Sequence, residues 1–320
     1  MSVNNHIHTT YSFSPYTPTQ AVEKAHAAGL VTAGIMDHDS ISGAREFIEA
    51  GERVGIATTI GVECRVKVTG TRLEGRRINN PDQNSVMYMA IHAVPHRHID
   101  DVTEFFKPLV AARNIRNRAI VDNVNRVLGD GASPFIDFDT DVYPLSMAHD
   151  GGSITERHIM FAVAKKMTDD IPLQYELLGK LKKDLIPKVY VDATEECIEA
   201  GEMIRFAKSI NAISAYAYLG DVGDSITGDK RTQTFEDGYL DILFEEINSL
   251  GFDAVTYMPS RNTAEQLRRV RELCDKYGFM QICGEDINSP SQPFVCEALS
   301  NPEFANLIDA AWELVRRERM

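Results

Sequence analysis

Two histidines stand close together near the start of the chain, in the segment His6-Ile7-His8. Side chains of an extended segment alternate between its two faces, so His6 and His8 share one face while Ile7 lies on the other. Two imidazoles on one face at the end of a strand can hold one metal ion together. Taken alone, the pair is equally compatible with two surface histidines near a terminus.

Further ionisable side chains each follow the apolar core of a later predicted strand. They are Asp37, His38, Glu63, His92 and Asp286. If the strands form a barrel, their carboxyl ends open on one rim, where the active sites of such barrels lie. A single histidine or carboxylate at a strand end is more often structural, but the recurrence at successive strands favours one shared site.

Seven apolar segments have the length and composition of strands, and helical patterns follow most of them. The segments are Val3 to His8, Val31 to Met36, Ile56 to Val62, Val86 to Ile91, Asn211 to Ala215, Phe252 to Thr256 and Phe279 to Cys283. This alternation predicts an α/β fold with a parallel sheet and helices outside it. Seven strands suit a closed or nearly closed (β/α)7 barrel. A doubly wound open sheet is the alternative, although no glycine-rich phosphate loop follows the first strand.

One long interruption separates the fourth predicted strand from the fifth. Residues 99–188 show helical patterns and loops without a convincing strand. We therefore predict a barrel made of residues 1–98 and 189–320, with a helical insertion at 99–188. Two other segments lack regular patterns: Val66 to Asn84 is polar, turn-rich and compatible with a hairpin, and the polar loop from Gly220 to Thr234 could act as a lid.

The composition is that of an ordinary globular protein, with 320 residues of which 43% are hydrophobic and 25% charged. No apolar run reaches membrane-spanning length and no signal-peptide pattern is present, so a cytoplasmic location is expected. The net charge of −14 argues against an extended nucleic-acid surface, but a bound metal can supply the positive field that a phosphorylated substrate needs. The five cysteines are scattered, and we expect them to be reduced and buried.

The ordered motifs resemble those of the PHP (polymerase and histidinol phosphatase) family of metal-dependent phosphoesterases. The matching motifs are His6-x-His8, Asp37-His38-Asp39, Gly61-Val62-Glu63, His92 and Gly284-Glu285-Asp286. The resemblance runs over nearly the whole chain, including the helical insertion, which is similar to that of PHP phosphoesterases acting on nucleotides or short nucleic acids. It implies a distorted seven-stranded barrel, two or three metal ions in active members, and hydrolysis of phosphoesters by metal-activated water.

The resemblance also implies a role for each matching residue. The first metal site, for zinc, manganese or iron, would be formed by His6, His8, Glu63 and Asp286. Glu63 would bridge to a second metal that His92 ligates, and His38 would belong to a third site. Asp37 could orient a ligand from behind.

Three positions depart from the family pattern. Phe13 stands where an aspartate is usual, Tyr216 where a histidine before proline is usual, and Asn288 where a final D-x-H motif has its histidine. One metal is therefore expected, a second site is incomplete, and the third is lost. Tyr216 is either a weak ligand or substrate hydrogen-bond partner, or an aromatic residue packed against Phe13.

Several basic residues are candidates for binding a phosphate. Arg157 and His158 resemble a basic pair that the insertion of family members points toward the metals, and the alternative is a surface pair at a helix start. Arg261 follows a strand and either clamps a phosphate or stabilises the start of a helix. A basic helix face, which either lines a path for an anionic substrate or is simply solvated, carries Arg113, Arg116 and Arg118.

These features together predict a metal-dependent hydrolase of a small phosphorylated substrate, such as a phosphomonoester, a nucleotide or a short oligonucleotide. Two alternatives stay open. One is a degenerate PHP protein that acts as a binding or regulatory module with one metal or none. The other is a hydrolase of a nonphosphate substrate on the same scaffold, because a fold does not by itself determine chemistry.

Overall fold

Seven strands follow one another around a barrel in the order of the chain. The computed structural model describes residues 2–129, 135–221 and 234–320. The strands in these residues are β1 Ser2–Ile7, β2 Leu30–His38, β3 Ala57–Lys67, β4 Val86–His92, β5 Ile198–Glu199, β6 Ile213–Tyr218, β7 Ala254–Tyr257 and β8 Met280–Cys283. The short β5 pairs with β3 outside the barrel path. The predicted α/β fold with a distorted seven-stranded barrel is confirmed.

The barrel comes close to closing where its first and last strands meet. The amide of His8 donates a hydrogen bond of 3.0 Å to the carbonyl of Ile287, and the amide of Ile287 donates one of 3.2 Å to the carbonyl of His6. Gly284 permits this approach, because a Cβ at that position would lie 2.5 Å from the Cβ of His6. The close approach of the chain at His6 therefore explains why the Gly284-Glu285-Asp286 motif begins with a glycine.

The direction of β4 differs from the prediction of a parallel sheet. β4 runs antiparallel to both β3 and β6, whereas the other neighbouring barrel strands are parallel. A parallel neighbour needs a crossover, usually a helix, and the described segment between Lys67 and Val86 contains none. The turn-rich segment forms no strand pair of its own between Lys67 and Val86; it is the connection between the antiparallel strands β3 and β4.

Most helices lie outside the barrel. Those in the described residues are α1 Pro18–Ala27, α2 Ala44–Val54, α3 Ile99–Leu128, α4 Glu156–Met167, α5 Ile171–Asp184, α6 Ile186–Val189, α7 Ala200–Ser209, α8 Leu240–Leu250, α9 Ala264–Tyr277 and α10 Ala305–Glu318. The start of α1 shows how local sequence sets these boundaries. Thr17 and Gln20 form a capping box around the proline at the first helical position.

Two apolar layers line the sheet, one on each face. The larger layer packs the outer face of the strands against the surrounding helices. The smaller layer fills the barrel and includes Ala90, Ala215, Ala254 and Ile282, together with Leu314 of α10. Glu318 of α10 also accepts a hydrogen bond of 2.7 Å from the amide of Ile60. Through these contacts α10 closes the end of the barrel opposite the strand carboxyl ends.

The stretch between residues 99 and 189 contains helices and turns, with no strand among its described residues. The first half of α3 packs on the main core through Val102 and Phe106. Its second half joins a separate apolar core with α4 and α5, which includes Ile120 and Val163. The domain boundaries at 98 and 189 stay a prediction, since α3 belongs to both cores.

The predicted lid loop at 220–234 falls largely on residues 222–233, which lie outside the described residues. Within the described ranges, no helix combines the length and the apolar character that crossing a membrane would require. All five cysteines are buried and carry free thiols, as the sequence predicts.

Candidate metal centre

Four strands bring the predicted ligands to one rim of the barrel. His6 lies near the end of β1 and His8 just after it, on the same face of the chain. His38 is the last residue of β2 and pairs directly with Glu63 of β3. Asp286 follows β8 and lies next to Ile287, which bridges to β1 at the closure of the barrel. Residues more than 200 positions apart in the sequence thus share one site.

Three imidazole nitrogens surround one oxygen of Glu63. Its Oε2 lies 3.1 Å from Nδ1 of His38, 3.5 Å from Nε2 of His6 and 3.6 Å from Nε2 of His8. Nε2 of His8 also lies 3.2 Å from Oδ1 of Asp286. One ligand atom each from His6, His8 and Glu63 can be chosen so that all three lie within 4.8 Å of one another. The predicted first site therefore converges, and His38 joins it.

The electrostatics of the cluster suit a cation. Burial alone would raise the pKa of Glu63, but the imidazoles of His38, His6 and His8 lower it to about 2, so this carboxylate is ionised. Burial lowers the pKa of His38 to about 3, with Glu63 opposing, which keeps its imidazole neutral. Burial would raise the pKa of Asp286, but the nearby imidazoles of His8 and His6 lower it below its usual value. Burial would lower the pKa of His6, but Glu63 and Asp286 raise it above its usual value, so His6 must release its proton to ligate a metal, whereas Glu63, Asp286 and His38 already have the ligating forms.

A hydrogen-bond relay orients His8. Ser12 donates its hydroxyl hydrogen to Oδ1 of Asp37 at 2.6 Å, so its oxygen accepts from Nδ1 of His8 at 3.2 Å. Asp37 also accepts from the amide of Thr9 at 2.7 Å. The predicted orienting role of Asp37 thus has a physical route through Ser12.

The same relay provides a test of whether a metal fits. With Nδ1 of His8 donating to Ser12, Nε2 faces carboxylate oxygens of Glu63 and Asp286 at 3.6 and 3.2 Å. A lone pair directed at two carboxylates is repelled, and a proton or a metal cation between them makes the arrangement attractive. The mixed nitrogen and oxygen donors are a set that zinc, manganese or iron accepts.

Asn288 supports the site in a way that the sequence did not indicate. Its Nδ2 donates a hydrogen bond of 2.6 Å to Oδ1 of Asp286. The residue at the usual position of a ligand histidine therefore holds a neighbouring ligand instead of facing a metal of its own.

His92 lies deeper in the barrel than the first site. Glu63 pairs with Ala90 in the antiparallel ladder, so His92 stands two residues further from the rim on the same face. Burial lowers its pKa to about 3, with His6 adding to the effect. Its buried Nε2 has no hydrogen-bond partner among the described residues. A neutral, uncommitted imidazole beside Glu63 fits a second ligand position.

The two aromatic residues that stand at usual ligand positions, Phe13 and Tyr216, lie in apolar cores away from the ligands. Phe13 is packed edge-on against His158 and Phe161, with ring centroids 5.0 and 5.6 Å apart. Tyr216 is fully buried in the outer layer, edge-on to Phe252 with the ring centroids 6.4 Å apart. Tyr216 therefore neither faces the cluster nor packs against Phe13.

The basic pair on α4 divides between two environments. His158 is buried, and its Nδ1 accepts from the amide of Thr155 at 3.0 Å as part of a capping box. Arg157 is partly exposed, and its charge contributes to lowering the pKa of Asp286 after the histidines. Of the pair, Arg157 is the member whose charge acts on Asp286.

Arg261 follows β7 and is buried, with Nε donating a hydrogen bond of 3.1 Å to the carbonyl of Leu219. The structure thus shows Arg261 supporting the chain after β6. The capping box that starts the following helix, α9, is formed by Thr263 and Gln266. The side chain of Thr263 accepts a hydrogen bond of 3.2 Å from the amide of Gln266.

A buried network of charges behind the cluster was missed. Arg113 and Arg116 are not a solvated face, because both are buried and ion-paired, while Arg118 is half-exposed and pairs with Asp139. Arg113 binds Asp39 at 2.7 Å, and Arg116 binds Glu196 at 2.6 Å. The remaining members of the network are Arg65 and Glu156. In the sequence, the only sign of this network was the spacing that puts Arg113 and Arg116 on one face of a helix.

The backbone of Asp39 ties this network to a ligand. Asp39 follows His38 and has a φ of 48°, in the left-handed region that non-glycine residues rarely adopt. Its amide donates to the carbonyl of Glu63 at 2.9 Å while its carboxylate binds Arg113. The insertion helix α3 therefore helps to hold the chain between two candidate ligands.

Comparison with known proteins agrees with this geometry. The family model of the PHP domain matches residues 4–133 of this chain. A candidate metal-dependent phosphoesterase from Bifidobacterium adolescentis has the same fold, with a TM-score of 0.71 over 98% of this chain and 96% of its own, at 20% identity. An amidohydrolase from Chromobacterium violaceum, with bound sulfate and no metal, has a TM-score of 0.69 over 97% of both chains, at 15% identity.

Sequence relatives match only in part. The 5'-3' exoribonuclease of Haemophilus influenzae is 38% identical over 74 residues, which are 23% of this chain and 25% of that protein. The error-prone DNA polymerase of Mycobacterium tuberculosis is 36% identical over 66 residues, which are 20% of this chain and 6% of the polymerase. The matches thus span a quarter or less of these relatives.

Proposed function

We propose that this protein is a metal-dependent hydrolase of small phosphoesters, such as a phosphomonoester, a nucleotide or a short oligonucleotide. The observation that carries the proposal is the group of imidazole nitrogens within 3.1 to 3.6 Å of one oxygen of Glu63, with Asp286 beside them. The PHP match, and neighbours whose names refer to phosphoesterase and nuclease activities, support the same reaction class.

The chain's own residues have distinct parts in this proposal. One divalent ion, zinc, manganese or iron, would be held by His6, His8, Glu63 and Asp286, with His92 available to a second. Such an ion supplies Lewis acidity and lowers the pKa of a water toward about 7. Asp37 and Ser12 keep the ring of His8 in the ligating orientation.

Arg157 supplies positive charge for the substrate. It lies close enough to Asp286 to act on that residue's pKa, and it is partly exposed, so a phosphoryl group entering the rim can reach it. Arg261 is proposed to contribute through the position of the chain after β6. The net charge of −14 disfavours an extended polyanion, so a small substrate is the better match.

The test begins with metal content and a substrate screen. We expect the purified protein, prepared without chelator, to hold at least one divalent ion per chain, and to hydrolyse a phosphomonoester or phosphodiester with manganese or zinc added. His8→Ala and Asp286→Ala should abolish turnover and reduce metal content, whereas His26→Ala, on the exposed surface of α1, should do neither. Full activity in His8→Ala would contradict the proposed site.

A binding or regulatory role is the second candidate, and one observation favours it. Phe13 and Tyr216 offer no ligand to the cluster, and Asn288 is committed to Asp286. Metal content below about 0.2 ion per chain, with no hydrolysis, would favour this candidate. Activity restricted to nonphosphate esters or amides would instead favour the third alternative, a different hydrolase on this scaffold.

A further inference from the structure

The antiparallel direction of β4 places a tyrosine over the metal centre. In the ladder between β3 and β4, Glu63 pairs with Ala90 and Arg65 pairs with Tyr88. Directly paired residues of an antiparallel ladder point to the same face of the sheet, so Tyr88 faces the barrel interior as Glu63 does. Two residues along a strand cover about 7 Å, and in β4 the step from Ala90 to Tyr88 leads toward the open rim.

The residue of β4 that lies next to Tyr88 on the same face is small. Ala90, the residue opposite Glu63, carries only a methyl group, so no side chain of β4 fills the space over the carboxylate. The ring of Tyr88 lies beside that of His38, with centroids 5.9 Å apart and planes inclined by 47°. The phenol ring therefore flanks the candidate ligand His38.

The hydroxyl of Tyr88 is not used by the fold. The side chain is partly exposed, and among the described residues its oxygen has no hydrogen-bond partner, since the bonds of Tyr88 are those of its backbone with Asn79. A phenol hydroxyl carries its hydrogen near neutral pH, so this group can donate.

A second tyrosine near the same charges shows the contrast. Tyr190 also lies near Arg65 and Glu156, but its hydroxyl donates to Oε1 of Gln83 at 3.3 Å. Tyr190 thus has a partner within the protein, whereas the hydroxyl of Tyr88 has none among the described residues. This difference makes Tyr190 a matched control.

We propose that Tyr88 is a substrate-contacting residue, whose hydroxyl donates a hydrogen bond to a non-bridging oxygen of the phosphoryl group held at the metal centre. The inference rests on the proposed phosphoesterase function and deepens it by naming a further contact. Inorganic phosphate offers the same oxygens as a phosphoester, so it serves as a probe that requires no knowledge of the natural substrate.

The experiment compares wild type, Tyr88→Phe and Tyr190→Phe in the full chain loaded with manganese. Metal content, thermal melting and the dissociation constant for inorganic phosphate are measured by elemental analysis, calorimetry and titration calorimetry, and kcat/KM is measured on the best substrate of the screen. We expect Tyr88→Phe to keep its metal and its melting temperature, to bind phosphate about tenfold more weakly, and to lose about 10- to 100-fold in kcat/KM. Tyr190→Phe should match wild type in phosphate binding and in kcat/KM.

Three results would overturn the inference. The first is phosphate affinity and kcat/KM of Tyr88→Phe within twofold of wild type. The second is a loss of metal in Tyr88→Phe equal to its loss of activity, which would mean that Tyr88 acts through His38. The third is a wild-type protein that holds metal but binds no phosphate. Failure of the proposed function has a different signature, namely phosphate binding that depends on Tyr88 without hydrolysis of any phosphoester.

Discussion

Ser12 is the residue whose removal tests most directly how the metal centre is held. Its hydroxyl joins Oδ1 of Asp37 at 2.6 Å to Nδ1 of His8 at 3.2 Å, and the side chain has no exposed surface. Ser12→Ala removes both hydrogen bonds without adding volume. Bulk water cannot replace them at a site this deeply buried, so the ring of His8 loses its fixed orientation.

The size of the effect follows from these contacts. A hydrogen bond to a charged group is worth about 1.5 to 3 kcal/mol, but Asp37 keeps two bonds from Thr9, at 2.7 and 2.5 Å, so the loss of folding stability should fall near ~1 to 2 kcal/mol. Loss of a partner behind a metal-ligating histidine typically weakens metal affinity about 10- to 100-fold. We therefore expect metal binding to suffer more than folding.

The assay is a competition titration of cobalt or zinc against a chelator, with thermal unfolding of the metal-free protein measured in parallel. Ser14→Ala is the control, because Ser14 is partly exposed and its hydroxyl accepts only a 3.3 Å bond from the amide of Tyr16. Metal affinity of Ser12→Ala within twofold of both wild type and Ser14→Ala would refute the relay.

Three further predictions concern the surroundings of the site. Glu196→Gln should lower the free energy of unfolding by about 3 to 5 kcal/mol, measured in denaturant, because buried Arg65 and Arg116 lose their shared carboxylate. Gly284→Ala should weaken metal binding at least about tenfold in the same titration, because its Cβ would meet His6 at 2.5 Å. Burial raises the pKa of Glu236 to about 8. The free energy of unfolding of the wild type should therefore fall, relative to Glu236→Gln, by up to about 1.4 kcal/mol per pH unit between pH 4.5 and 8. Denaturant unfolding measured across that pH range checks this slope.

Controls for these three variants come from the same chain. Glu195→Gln, at the exposed neighbouring position, should leave stability unchanged, and an equal loss in both variants would contradict the network argument. Gly179→Ala meets nothing within 4 Å, so it should keep full metal affinity. Stability falls with rising pH because the carboxyl of Glu236 stays protonated in the folded state over a pH range in which it ionises in the unfolded state. A stability difference that does not change between pH 4.5 and 8 would be inconsistent with the raised pKa.

The convergence of the candidate ligands was predictable because its information is local. Alternation along a strand puts His6 and His8 on one face, and each further ligand stands where an apolar run ends. Once the strands are assigned to a barrel, their carboxyl ends must meet at one rim. The sequence therefore predicted the barrel, its strand count and the convergence of His6, His8, Glu63 and Asp286, while the strand ends were predicted less well.

Errors in the predicted strand ends and strand direction explain most of the differences between the sequence-based predictions and the structure. The fifth predicted strand ended at Ala215, which put Tyr216 on the rim, whereas β6 continues to Tyr218 and alternation turns Tyr216 to the outer face. The fourth predicted strand was parallel to its neighbours, which would have put Tyr88 beneath His92. The antiparallel direction of β4 puts Tyr88 above it.

The sequence by itself determined which residues can ligate a metal and that they gather at one end of a barrel, because hydrophobic periodicity and strand ends are local properties. Only the tertiary structure decided which charges are buried and which side chains face the site. The partners of Arg113 and Arg116 lie at Asp39, Glu156 and Glu196, and a sequence pattern carries no record of contacts at such separations. The direction of β4 was decided in the same way, by pairing with β3 and β6, and with it the place of Tyr88 beside His38.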